Sequence, residues 1–181
     1  MRKIMLIMVL VLSFSVASAQ KYLSKSGHIW FYSHTPMEDI EAHNRQVVSI
    51  INTVTGEVDI NLLIKSFLFK NALMQEHFNE NYMESDKFPK ASFKGFIQQL
   101  SNVNWGKDGI YSSILAGNLT IHGVTKSLNL PITITIKDGK VSGKASFTID
   151  PKEFNISIPS LVENKIAKEM DTQVEISYDK M

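Results

Sequence analysis

The chain contains no cysteine in its 181 residues. That excludes thiol catalysis, disulfide stapling and lipid attachment through an N-terminal cysteine. Its five prolines and nine glycines gather into no linker, repeat or low-complexity tract, so one domain is the simplest organisation. Neither sign of charge dominates: 19 Lys and Arg stand against 18 Asp and Glu. A nucleic-acid binder would carry a basic surplus instead. Long apolar runs are absent too, except at residues 4–12.

That exception has a specific form. Arg2 and Lys3 precede it, and the small residues Ala-Ser-Ala at 17–19 follow it. A basic start, a short apolar centre and a small-residue site make a secretory signal peptide. The run is too short and wrongly flanked for a membrane span, although an uncleaved N-terminal anchor is the alternative. Cleavage after Ala19 leaves residues 20–181 and takes the formal charge from +1 to −1, because Arg2 and Lys3 are lost. A domain of that length buries roughly 70% of its unfolded surface without crosslinks. The expected location is the periplasm or the exterior.

The remaining chain is dominated by alternation of period two, which puts alternate side chains on opposite faces of a sheet. In and just before the stretch "GNLTIHGVTKSLNLPITI", residues 117–134, Leu115, Leu119 and Ile121 share one parity with Gly117. After a tight corner, Leu128, Leu130, Ile132, Ile134 and Ile136 recur at every second position. Further strands are expected at 28–33, 46–54, 57–69, 90–100, 141–149 and 172–178. The segment 57–69 reads as a strand apolar on both faces. An Asp-Gly pair at 138–139 marks a hairpin. In residues 71–83 the period changes, and Met74, Phe78 and Tyr82 form a stripe on one helical face. The helix is expected to end at Phe88-Pro89.

Eight sequential antiparallel strands with one inserted α-helix favour an all-β, closed, lipocalin-like barrel, since closure leaves no bare edge. A two-sheet sandwich is the rival. An outer-membrane barrel fits poorly, because Lys65, Lys94 and Lys144 lie among the apolar strand residues.

No nucleophile elbow, phosphate-cradling glycine loop or dinucleotide fingerprint is present. The five histidines include no i, i+4 pair. A metal-dependent enzyme would have to assemble its site across loops from His34, His43 and a carboxylate. The spacing implies no catalytic residue, metal or cofactor. Aromatic rings are spread over the strands and the helix, and Gly95, Gly117, Gly143 and Ala145 sit at strand positions. Small residues there mark either a close approach or a bend needed for closure. Residue chemistry therefore leaves two readings open, a filled core and an apolar cavity.

Three segments carry a resemblance. "GNLTIHGVTKSLNLP" resembles the G-x-L-T-I-x-G-V-T-K-x-(V/L)-x-L-P segment of the YceI-like family of exported bacterial proteins. "HFNENYMESDKFPKASFKG" (77–95) is similar to that family's helix-to-strand segment, and "ASFTIDPKEFNI" (145–156) to its closing run. Pro151 and Asn155 stand where the family usually has Arg and Gly, and Asn tolerates a positive φ. The resemblance implies a lipocalin-like barrel that binds, stores or transports a long apolar lipid, isoprenoid or quinone-like, in an interior channel. The ligand-facing residues it suggests are Phe67, Phe69, Phe78, Tyr82, Phe93, Leu119, Ile121, Leu130, Ile132, Ile134 and Phe147. Beyond the lipid it leaves open transient membrane contact and a homodimer, with no nucleic acid. A filled barrel serving as a structural or protein-interaction module is the alternative function.

Overall fold

The alternating segments form one antiparallel sheet of nine strands in the computed structural model, which describes residues 21–181. The expected leader, residues 1–19, lies outside the described residues. The strands are β1 (Lys21–His34), β2 (Asp39–Asn52), β3 (Glu57–Leu63), β4 (Leu68–Phe69), β5 (Lys90–Ile97), β6 (Gly109–Ile121), β7 (Val124–Lys137), β8 (Lys140–Ile149) and β9 (Met170–Lys180). Neighbours in the sheet follow chain order, and β1 pairs with both β2 and β9, so the sheet closes. The two-residue β4 hangs on β2 at Ala42 and His43. The other eight strands make the ring, an up-and-down barrel rather than a sandwich.

Two of the corners have the turn chemistry that the sequence announces. His122-Gly123 between β6 and β7, and Asp138-Gly139 between β7 and β8, both have positive φ at each residue. That is the geometry whose twist matches a two-residue hairpin. Asn155, where the family usually has glycine, also adopts a positive φ of 57° and ends the short turn Pro151–Phe154.

Three expectations needed correction. The segment 57–69 is not one strand. It leaves the sheet after Leu63, makes a tight turn at Ile64–Ser66, and crosses the end of the barrel with Ile64 and Phe67 buried. Its double-sided apolarity reflects that crossing, not a strand covered on both faces. β2 begins at Asp39, seven residues ahead of the strand expected at 46–54. The helix is short: α1 spans only Ala72–His77, capped by the Asn71 side chain, which accepts from the amides of Leu73 and Met74. A wide turn, Phe78–Tyr82, continues it, and the amide of Met83 donates to the Phe78 carbonyl at 2.9 Å. The chain therefore leaves the helix well before Pro89, and Glu84 takes a positive φ.

The barrel has one closed end and one open end. At the closed end Tyr22, Ile51, Val58, Ile97, Ile136, Val141, Ile176 and Tyr178 are buried, and Trp105 stacks on Tyr22 at 6.3 Å. Tyr178 shares a hydrogen bond of 2.9 Å with Ser49. Burial pushes the Tyr178 hydroxyl up to about 12, an effect the Ser49 bond partly offsets. Above pH 10 the unfolded chain releases this proton while the folded chain keeps it, so stability should fall as pH rises. The slope contributed by this one group is at most about 1.4 kcal/mol per pH unit. Urea unfolding on either side of pH 10 should show a shallower alkaline loss for Tyr178→Phe than for the wild type.

At the open end His122 ties three segments together. Its Nδ1 donates to the Phe154 carbonyl (3.1 Å), its Nε2 meets Glu84 Oε2 (2.9 Å), and Phe88 packs edge-on against the ring at 4.4 Å. The β6–β7 corner, the link after the helix and the turn after β8 are thereby held as one rim. The β7–β8 ladder runs from Lys137–Lys140 only to Ile132–Ala145. Pro131, which has no amide hydrogen, stands one residue past its end.

Candidate functional site

Period-two alternation has placed an almost wholly apolar set of side chains on the inner face. A filled barrel would bury all of them. Here Ile29, Phe31, Leu128, Ile132, Phe147 and Val174 pack against the core yet remain only partly buried, because the interior is hollow. A cavity of about 470 Å³ occupies the open half, and a smaller one of about 100 Å³ lies deeper. Ile29, Leu62, Ala91, Leu119 and Phe147 line both, forming a waist between them.

The larger cavity is roofed by the segment that leaves the sheet after β3. Phe67, Phe69 and Phe78 join Phe31 of β1 in a four-ring cluster, with centroid separations of 4.9 Å for Phe69–Phe78, 5.5 Å for Phe31–Phe67 and 5.8 Å for Phe31–Phe78. Rings at these distances and tilts interact favourably beyond their buried area. Met74, Phe78 and Tyr82, the helical stripe, all face this cavity, and burial pushes the Tyr82 hydroxyl up. The stripe survives because α1 runs directly into the wide turn. The opposite rim comes from the chain between β8 and β9, where Ile156, Ile158, Val162 and Ile166 line the cavity. The Ala167 amide anchors that segment by donating to Ser33 Oγ at 2.8 Å.

The polar side chains on the larger cavity's wall include Glu38, Asn71, His77 and Lys165, which belong to the segments around the opening. Deeper, the smaller chamber is lined by Val58, Phe93, Leu115, Leu130, Ile134 and Ile176 among others. The arrangement suits an elongated apolar molecule with its polar end at the opening. It offers such a molecule area and dryness.

This architecture coincides with a known domain. The YceI-like domain model matches residues 22–179. The chain belongs to the YceI-like domain family. Solved structures share its fold at low identity. A polyisoprenoid binding domain from Saccharophagus degradans, implicated in plant cell wall breakdown, aligns with a TM-score of 0.78 at 12% identity, covering 90% of this chain and 99% of its own. Burkholderia cenocepacia BcnA gives 0.68 at 14% identity over 83% and 95% of the two chains. Campylobacter jejuni YceI protein gives 0.61 at 17% over 82% and 90%. Comparison with curated protein sequences returns no match.

All eleven residues suggested by the family resemblance lie on these walls. Phe67, Phe69, Phe78, Tyr82 and Ile121 line the larger cavity; Phe93, Leu130, Ile132 and Ile134 line the smaller; Leu119 and Phe147 line both. Sequence reasoning missed Ile29 and Phe31, because β1 is rich in aromatics on both parities, with Trp30 and Tyr32 pointing outward. It also missed the 156–166 segment, whose apolar residues follow no strand period. Their recurrence at four-residue steps from Ile158 to Met170 was the available signal.

The histidines weighed for a loop-assembled metal site stand apart. His34 pairs with Asp39, while His43 lies 2.9 Å from both His28 and Glu41. Burial first, then the Arg45 charge and His43, hold the His28 pKa down. Among the described residues no group of three His, Asp or Glu is placed to hold a metal. The outer barrel face carries ion pairs such as Lys144–Glu175 (2.8 Å) and Lys94–Asp59 (3.6 Å), unlike the apolar band of an outer-membrane barrel. Among the described residues no helix is long and apolar enough to cross a membrane.

Proposed function

We propose that this chain binds and carries a long apolar lipid of the isoprenoid or quinone-tail class, as an exported, non-enzymatic barrel. The observation that carries the reading is the hollow inner face: a 470 Å³ space walled by aliphatic and aromatic side chains, with charged groups at its opening. Each buried methylene contributes roughly 0.8 kcal/mol, so such a wall retains a chain without specific polar contacts. The fold likeness to a polyisoprenoid binding domain supports this ligand class. The leader-like first nineteen residues, ending just before the region matched by the family model, support export and a single mature domain.

The test is to purify the mature protein from its exported compartment without detergent, record its intact native mass, and extract and identify bound lipid. One isoprenoid species in stoichiometric amount is expected. Protein that emerges without lipid, and takes up none when incubated with prenyl alcohols, would leave the filled, protein-interacting barrel as the better reading.

A further inference from the structure

The two chambers and the waist between them set a length. An apolar cavity of about 150 Å³ holds one benzene, which scales to about 25 Å³ per carbon. On that scale the larger chamber of about 470 Å³ takes about 19 carbons, close to four five-carbon isoprene units. The deeper chamber of about 100 Å³ takes about four carbons, less than one further unit. Beyond it the barrel is sealed by packing. The tip of the Phe93 ring abuts the Gly95–Gly117 pair, its Cζ only 2.8 and 2.6 Å from where their Cβ atoms would be. Tyr178 is locked to Ser49 below, and Trp105 closes the end over Tyr22.

We propose that this barrel is selective for isoprenoids of about four units, with Phe147 at the waist setting the length of chain it accepts. The inference rests on the lipid-carrier reading above and adds the size of the cargo. With Glu38, Asn71, His77 and Lys165 around the opening, the head group faces out and the tail end points to the waist. Tail carbons are then counted from the rim inward. A longer chain leaves its surplus units outside the barrel in water, where they gain nothing from the cavity and oppose transfer out of a micelle or membrane. Phe147 faces Thr172 on β9 and borders both chambers. Removing its ring joins the chambers and lengthens the accepted tail.

The experiment uses the mature protein stripped of lipid, with geranylgeraniol (four units) and solanesol (nine units) each presented in the same neutral detergent micelles. Occupancy is read by native mass spectrometry after detergent release. The wild type should take geranylgeraniol one-to-one and at least about tenfold more tightly than solanesol. Phe147→Ala should narrow that ratio at least about threefold, while Phe96→Ala on the outer face should leave it unchanged. Phe147→Leu serves the same purpose if the alanine variant does not fold. Equal or tighter binding of solanesol by the wild type overturns the length limit and leaves the carrier reading standing. An unchanged ratio in a folded Phe147 variant overturns the role of the waist. Binding of neither alcohol overturns the carrier reading and the length limit with it.

Discussion

Replacing Gly117 with valine is expected to unfold the barrel at temperatures where the wild type is intact. Gly117 faces Gly95 across β5 and β6, and a Cβ on Gly117 would sit 2.5 Å from the Gly95 Cα and 2.6 Å from the Phe93 ring. The first obstacle is backbone and does not rotate away. The second is a buried ring, already wedged over both glycines. Forcing groups into a packed core costs about 1–3 kcal/mol, and more when main chain must move. We expect about 3 kcal/mol or more for Gly117→Val, a drop in Tm of about 10 °C for a chain of this size. Thermal unfolding followed by circular dichroism checks it. A Tm within a degree or two of the wild type would mean that β5 and β6 do not approach as described.

The largest functional effect is expected from Phe78→Glu. Phe78 belongs to the wide turn outside the barrel ladders and is only partly buried, so the ring of strands should fold without it. In the carrier reading its side chain forms part of the ligand's wall, within 4.9 Å of Phe69 by ring centroid. A carboxylate there either stays charged beside a hydrocarbon or takes up a proton, and the first costs several kcal/mol. Lipid affinity should fall about 100-fold or more at neutral pH and recover partly as the pH falls, beginning above the ordinary carboxylate range because the apolar wall favours the protonated form. The same change at Phe96, exposed on the outer face of β5, should leave affinity unaltered. Equilibrium binding of a prenyl alcohol to the two variants measures the contrast.

Much of this was legible in the sequence because a barrel of hairpins writes its inner face as simple alternation. Leu115 to Ile121 and Leu128 to Ile136 identify one face each, and the Gly-containing corner ties the two in register. The hollow was not legible. Whether Ile132 and Phe147 meet other side chains or empty space depends on how far the β7–β8 ladder extends, a tertiary matter. The end of β3 differs for a related reason: Phe67 and Phe69 look like residues of one long strand, but the chain leaves the sheet at Ile64, and Phe69 rejoins it only in the two-residue β4. Phe31 escaped notice because Trp30 and Tyr32 beside it are equally aromatic. Outside the barrel Trp30 stacks with His28 at 4.2 Å, so aromatic character did not separate inside from outside on β1.

The most direct test of the central claim is to locate a bound lipid within the protein. With methyl-labelled Ile and Leu and unlabelled geranylgeraniol, intermolecular nuclear Overhauser effects report which side chains lie against the chain. The account predicts contacts to Ile29, Leu119 and Ile121, which line the larger cavity, and none to the outward-facing Ile110 and Ile114. Contacts confined to the outer methyls, or a saturating ligand that touches no inner methyl, would contradict it.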